Sequence, residues 1–157
     1  MKELVYRINT EWTGNLGLGT MDYKSYGRNF TISGEGKTIN IPGSSDPSYR
    51  GDPSFYNPED LFVSSLSTCH MLWYLHLCAI NGIVVIDYTD NAVGTLEELP
   101  GGRGRFKNVV LHPVVIVSES LMMSKAISLH TDAGKMCFIA NSCNFPVLHE
   151  PKISVIV

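Results

Sequence analysis

The chain has 157 residues, 44% of them hydrophobic, which is the length and apolar content of one globular domain, so residues 1–157 are read as a single domain with one core. Its 12 Lys and Arg stand against 15 Asp and Glu, a formal charge of -3. Neither sign gathers into a run of the kind that grips nucleic acid or an anionic membrane surface, and neither partner is expected. The first residues, MKELVYRINTEWTG, carry scattered charges and no apolar stretch of signal-peptide length, so a cytoplasmic location is expected. In a reducing compartment four cysteines are too few for a disulfide scaffold, and each is judged by its surroundings.

Leu4, Tyr6 and Ile8 alternate with Val5, Arg7, Asn9 and Glu11, a strand pattern, and glycine-containing stretches near Gly14–Gly19 and Gly34–Gly36 separate it from two further strand-like runs. A small antiparallel sheet follows from this. Residues 42–56 are rich in Gly, Ser, Pro and Asp and read as a surface loop. Asn57-Pro58-Glu59-Asp60 then opens a helix, with Asn57 as N-cap, Pro58 at the first helical position and two carboxylates in the first turn; Gly82 is the natural stop. From Leu61 to Ile80 this helix has no charge and is apolar on nearly every face, which predicts burial all round. Its length also suits a membrane span. Ser64, Ser65, Ser67, Thr68, His70 and His76 within it, with no Lys or Arg at either flank, favour the interior of a soluble protein.

Residues 83–96 and 105–117 are β-branched runs joined by the turn-rich LPGGRG, a hairpin. Ser118 or Ser120 can cap a second helix from 121 to about 141, ended by Pro146, and PKISVIV supplies a last strand. Strands interleaved with only two helices indicate an α+β fold, with antiparallel sheets packed around a long buried central helix and a second helix.

At about 100° per residue, Cys69 shares a helix face with Phe62, Leu66, Trp73, His76 and Ile80. Cys78 points to the other side about 13 Å further along the axis and cannot bridge to it; it reads as a small core side chain. Apolar burial disfavours a thiolate, and Cys69 lies about three turns past the cap, beyond the reach of the helix dipole. No Lys or Arg occurs between Arg50 and Arg103, so any cation serving Cys69 comes from elsewhere in the structure. Arg28, in YGRNF, reads on its own as a strand surface charge. Cys137 and Cys143 lie about 9 Å apart along a continuous helix, too far to join unless it breaks between them. Either can meet Cys69 across packed helices, and spacing does not choose between them.

NPEDLFVSSLSTC, residues 57–69, and LHTDAGKMCFIANS, residues 129–142, resemble the two cysteine-bearing segments of the osmotically inducible protein C and organic hydroperoxide resistance superfamily, closer to its osmotically inducible protein C-like branch. The order of elements matches over essentially the whole chain. The resemblance implies a peroxide reductase in which Cys69 is the peroxidatic thiol and Cys137 the resolving thiol. Arg28 becomes the guanidinium that favours the thiolate, and Glu59, about 15 Å along the helix from Cys69, orients that arginine. The reaction passes through a sulfenic acid and a Cys69–Cys137 disulfide, with an organic hydroperoxide as substrate and an external dithiol, of lipoyl type in some members, as reductant. No cofactor or resident metal is implied. The superfamily's members are intertwined homodimers, so a dimer with its sites at the subunit interface is expected. Two features depart from the pattern: Phe138 follows Cys137 where the hydroperoxide resistance branch typically has Pro, and Cys143 is additional. Two other readings are a metal site drawn from Cys69, His70, His130 and Cys137, and an apolar-ligand-binding or redox-sensing protein of the same fold.

Overall fold

A computed structural model describes residues 2–156. The chain divides after Leu61 into two compact units.

The first unit contains the expected antiparallel sheet: β1 (Asn9–Trp12), β2 (Phe30–Ser33) and β3 (Ile41–Gly43), in that order, with Thr10 opposite Ile32 and Ile32 opposite Ile41. The strand expected to start at Leu4 begins only at Asn9, because Leu4, Tyr6 and Ile8 are all exposed and their alternation buries no face. The loop over 42–56 is more ordered than its composition suggests. Asp46 accepts a bond from the Ser48 amide at 2.7 Å and caps a 3-10 turn at Pro47–Tyr49, and the Ser44 amide donates to the Tyr56 carbonyl at 3.1 Å.

The central helix, α1 (Pro58–Ile80), starts as its sequence dictates. The Asp60 amide donates to Asn57 Oδ1 at 2.8 Å and the Asn57 amide donates back to Asp60 Oδ2 at 3.1 Å, a reciprocal cap that satisfies two otherwise orphaned donors. The helix stops before Gly82, which takes a φ of 71° that an L side chain resists. Burial is not uniform around it. Leu66, His70, Tyr74 and Cys78, four residues apart, are buried, whereas Ser64, Thr68, Leu72 and His76 form an exposed stripe, so a single chain covers one side only.

In the second unit each of the two long strand runs is split in two. β4 (Val85–Asp90), β7 (Pro113–Val117) and β9 (Lys152–Val155) form one sheet, and β5 (Val93–Leu99), β6 (Arg103–Leu111) and β8 (Val147–His149) another. The β5–β6 hairpin turns at Gly101 and Gly102, as LPGGRG predicts. Asp90 organises both breaks: it accepts from the His112 amide at 2.7 Å and from the Ser67 hydroxyl of α1. The antiparallel pairs β4–β7 and β5–β6 are extended by β9 and β8, which add in parallel; β8 was not foreseen. Val157, at the end of the expected last strand, lies outside the described residues.

The second helix, α2 (Met123–Met136), is shorter than expected. Neither Ser118 nor Ser120 caps it; a 3-10 turn, Ser120–Met122, leads into it. At its end a side chain takes over a terminal carbonyl, Asn141 Nδ2 donating to that of Lys135 at 2.9 Å, and the Ala140 amide of the turn that follows donates to Cys137 Sγ at 3.4 Å. Cys137 itself is extended, with ψ 111°. Tyr74, Cys78, Val115, Val117, Leu129 and Ala133 form one core cluster, and Leu66, Val109 and Leu111 another.

Candidate active site

Cys69 and Cys137 meet. The residue that ends α2 brings its thiol against the middle of α1, where the Cys137 and Cys69 side chains share a hydrogen bond. All four cysteines are free thiols; Cys69 is half-buried and Cys137 only 1% exposed. Burial pushes the Cys137 thiol up to about 11, and the hydrogen bond to Cys69 adds to the effect. Of the two thiols that spacing left open, Cys137 is the one in contact with Cys69. Although the helix does break between them, Cys143 packs beside the Leu66 cluster and donates to the Ile139 carbonyl at 3.3 Å. Cys78 is a core side chain, 1% exposed beside the Tyr74 hydroxyl, and burial raises its thiol.

Aromatic rings flank the pair. Trp73, one turn beyond Cys69, meets Phe138, the residue after Cys137, edge to face at 5.6 Å. On the buried stripe of α1, His70 Nε2 lies 3.0 Å from His130 Nδ1 of α2, with His149 of β8 alongside at ring distances of 5.5 and 6.1 Å. Tyr74 stacks on His130 at 3.8 Å. Burial lowers His70 to about 4, helped by His149 and opposed by Asp90, and lowers His130 to about 3, helped by His70 and His149. His130 Nε2 is buried without a hydrogen-bond partner among the described residues. The sequence held one signal for this cluster: the Leu66, His70, Tyr74, Cys78 spacing marks the buried stripe. The arrival of His149 from β8 had none. No group of three or more His, Cys, Asp or Glu able to hold a metal occurs among the described residues.

A cavity of about 240 Å³ opens between α1, α2 and β8, with Leu66, Leu111 and Val147 as apolar walls and His70, His149 and Cys137 beside them. Cys69 is not among the residues that line it.

Arg28 and Glu59 belong to the first unit. Arg28 precedes β2 instead of lying on a strand, which corrects its reading as a strand surface charge. Its Nη2 donates to the Tyr23 carbonyl at 2.7 Å and its Nη1 to the Tyr26 carbonyl, with the guanidinium 4.5 Å from the Tyr23 ring centre and 4.0 Å from that of Tyr26. Glu59 is exposed in the first turn of α1, and the carboxylate of the reciprocal cap is that of Asp60.

A family model described as OsmC-like protein matches residues 51–151. Over 97% of this chain and 100% of the other, the structure is similar to that of an OsmC-like protein of unknown function from Vibrio cholerae, with 31% identity and a TM-score of 0.84. Organic hydroperoxide resistance proteins from Elizabethkingia anophelis (17% identity, 99% and 100% covered, TM-score 0.69) and Legionella pneumophila (19%, 98% and 100%, 0.69) share the fold. No curated protein matches. The α+β fold with its two helices is that of the OsmC and organic hydroperoxide resistance superfamily, and the chain belongs to the OsmC-like protein family. Among the described residues no helix is long and apolar enough to cross a membrane.

Proposed function

We propose that the protein is a thiol-dependent peroxidase that reduces organic hydroperoxides, with residues 1–157 acting as one functional domain. The observation that carries this reading is the contact between Cys69 and Cys137, which joins the two segments that resemble the superfamily's cysteine motifs. The Cys69 thiolate attacks the O–O bond, the O–O bond breaks, and the alkoxide leaves and takes a proton to become the alcohol. Cys69 is left as a sulfenic acid. The Cys137 sulfur then attacks the Cys69 sulfur, its proton goes to the departing hydroxide, and water and the disulfide result. An external dithiol restores both thiols by exchange. Arg28, oriented by Glu59, favours the Cys69 thiolate, and the Trp73–Phe138 pair beside the thiols supports an organic over an inorganic peroxide. The functional unit of this reading is a homodimer.

The deciding experiment measures consumption of cumene hydroperoxide with a defined dithiol. Cys69→Ser should abolish turnover, and Cys137→Ser should consume about one equivalent and stall as a sulfenic acid. Full turnover by Cys69→Ser would end the proposal.

A further inference from the structure

A disulfide between Cys69 and Cys137 offers a reductant two sulfurs, and the two choices differ chemically. Attack on Cys69 expels Cys137; attack on Cys137 expels Cys69. The cavity bears on this choice because it reaches Cys137 by a path that Cys69 does not line. Ala140, whose amide donates to Cys137 Sγ at 3.4 Å, lines the same cavity. Exposed Thr131, Lys135 and Leu148 also line it and mark its open side.

We propose that this cavity is the entry for the reducing thiol, and that the thiol attacks the Cys137 sulfur of the Cys69–Cys137 disulfide and releases Cys69 as a thiolate. The inference rests on the peroxidase reading above. In the first step a thiolate of the dithiol forms a bond to Cys137 Sγ, the Sγ–Sγ bond breaks, and its electron pair leaves on Cys69. In the second step the other sulfur of the reductant attacks the first, its proton passes to Cys137, and the reductant departs as its own cyclic disulfide. Two electrons move from the dithiol to the protein.

Leaving-group chemistry agrees with the path. Burial pushes the Cys137 thiol up to about 11, which makes its thiolate a poor leaving group. Attack at Cys137 also returns Cys69 directly in its nucleophilic form, before the reductant has left.

Regiochemistry can be read on the unaltered protein. The bridge is formed with diamide, which does not depend on peroxidase activity, opened briefly with 2-mercaptoethanol, quenched in acid, alkylated with iodoacetamide and mapped by mass spectrometry. At the earliest times the mercaptoethanol adduct is expected on Cys137 and the alkyl group on Cys69. The reverse pattern overturns this inference and leaves the peroxidase reading intact, whereas failure to form any Cys69–Cys137 bridge overturns both. A second measurement narrows the cavity. Gly134 lines it, and a Cβ there would lie 4.0 Å from the His149 ring, an ordinary contact. Gly134→Ala should therefore open at nearly the wild-type rate, while Gly134→Leu, compared at matched melting temperature, should slow bridge opening by about tenfold or more. Equal rates in all three proteins would overturn the entry path.

Discussion

His70 Nε2 and His130 Nδ1 lie 3.0 Å apart in the interior of the second unit, so one imidazole donates and the other accepts, and both are neutral. An unfolded imidazole takes up a proton near pH 6.5, whereas these two resist protonation down to about 4 and about 3. Below pH 6.5 the unfolded chain therefore binds more protons than the folded one, and stability falls with pH until both groups are charged in the folded state. The melting temperature should begin to drop between pH 6.5 and 5, where most carboxylates remain ionised. A His70→Gln/His130→Gln double variant should flatten the drop over the same interval; an unchanged slope in that variant would assign the effect elsewhere.

The two remaining cysteines separate packing from chemistry. Cys78→Ser places a hydroxyl among Tyr74, Val115 and Val117 and should cost about 1–3 kcal/mol in denaturant unfolding while turnover per folded molecule persists. Cys143→Ser should leave the Cys69–Cys137 bridge intact in peptide maps. A Cys69–Cys143 bridge in the peroxide-treated wild type would show that the resolving thiol has been misassigned.

Arg28 tests the source of the cation. Loss of a charged hydrogen-bond donor to a thiolate is worth about 1.5–3 kcal/mol, so Arg28→Ala should slow peroxide reduction by about 10- to 100-fold and slow alkylation of Cys69 at pH 7. Arg28→Lys should recover only part of the rate, because an ammonium cannot hold both carbonyls, stack on two tyrosines and present a planar donor edge. Wild-type rates in Arg28→Ala remove it from the site.

The exposed stripe of α1, with Leu72 at its centre, and the uncovered side chains of Leu4, Tyr6 and Ile8 support the homodimer. Light scattering should give a dimer that persists at micromolar concentration, and Leu72→Asp should weaken it. If Arg28 serves Cys69 across the interface, mixing Cys69→Ser chains with Arg28→Ala chains should restore activity, since only a shared site then contains both residues. Confirmed subunit exchange without recovered activity excludes the shared site.

Much of this was written locally. The Asn57–Asp60 cap, the Gly82 stop and the Gly101–Gly102 turn are decided by neighbouring residues, so α1 and the β5–β6 hairpin are legible from sequence alone. The splits at Asp90 and His112 depend on a carboxylate that gathers Ser67 and a strand amide from distant positions, and periodicity holds no trace of that. At the early end of α2, Asn141 likewise reaches back to Lys135. Cys69 and Cys137 were each visible as thiols on helices, but their contact depends on where α2 stops. For Arg28 the sequence showed a charge in the wrong setting; its enclosure by Tyr23 and Tyr26 comes from a loop that no repeat pattern describes.

The place of the thiol contact in the chain has a thermodynamic consequence. The span from Cys69 to Cys137 contains β4 to β7 and all of α2. A bond between these sulfurs would thread strands from both sheets of the second unit into one covalent ring. By loop entropy, a ring of that size restrains the unfolded chain by about 4 kcal/mol. The oxidised, spent form of the protein would then be its most heat- and protease-resistant form, and each reduction would return it to a more easily unfolded state.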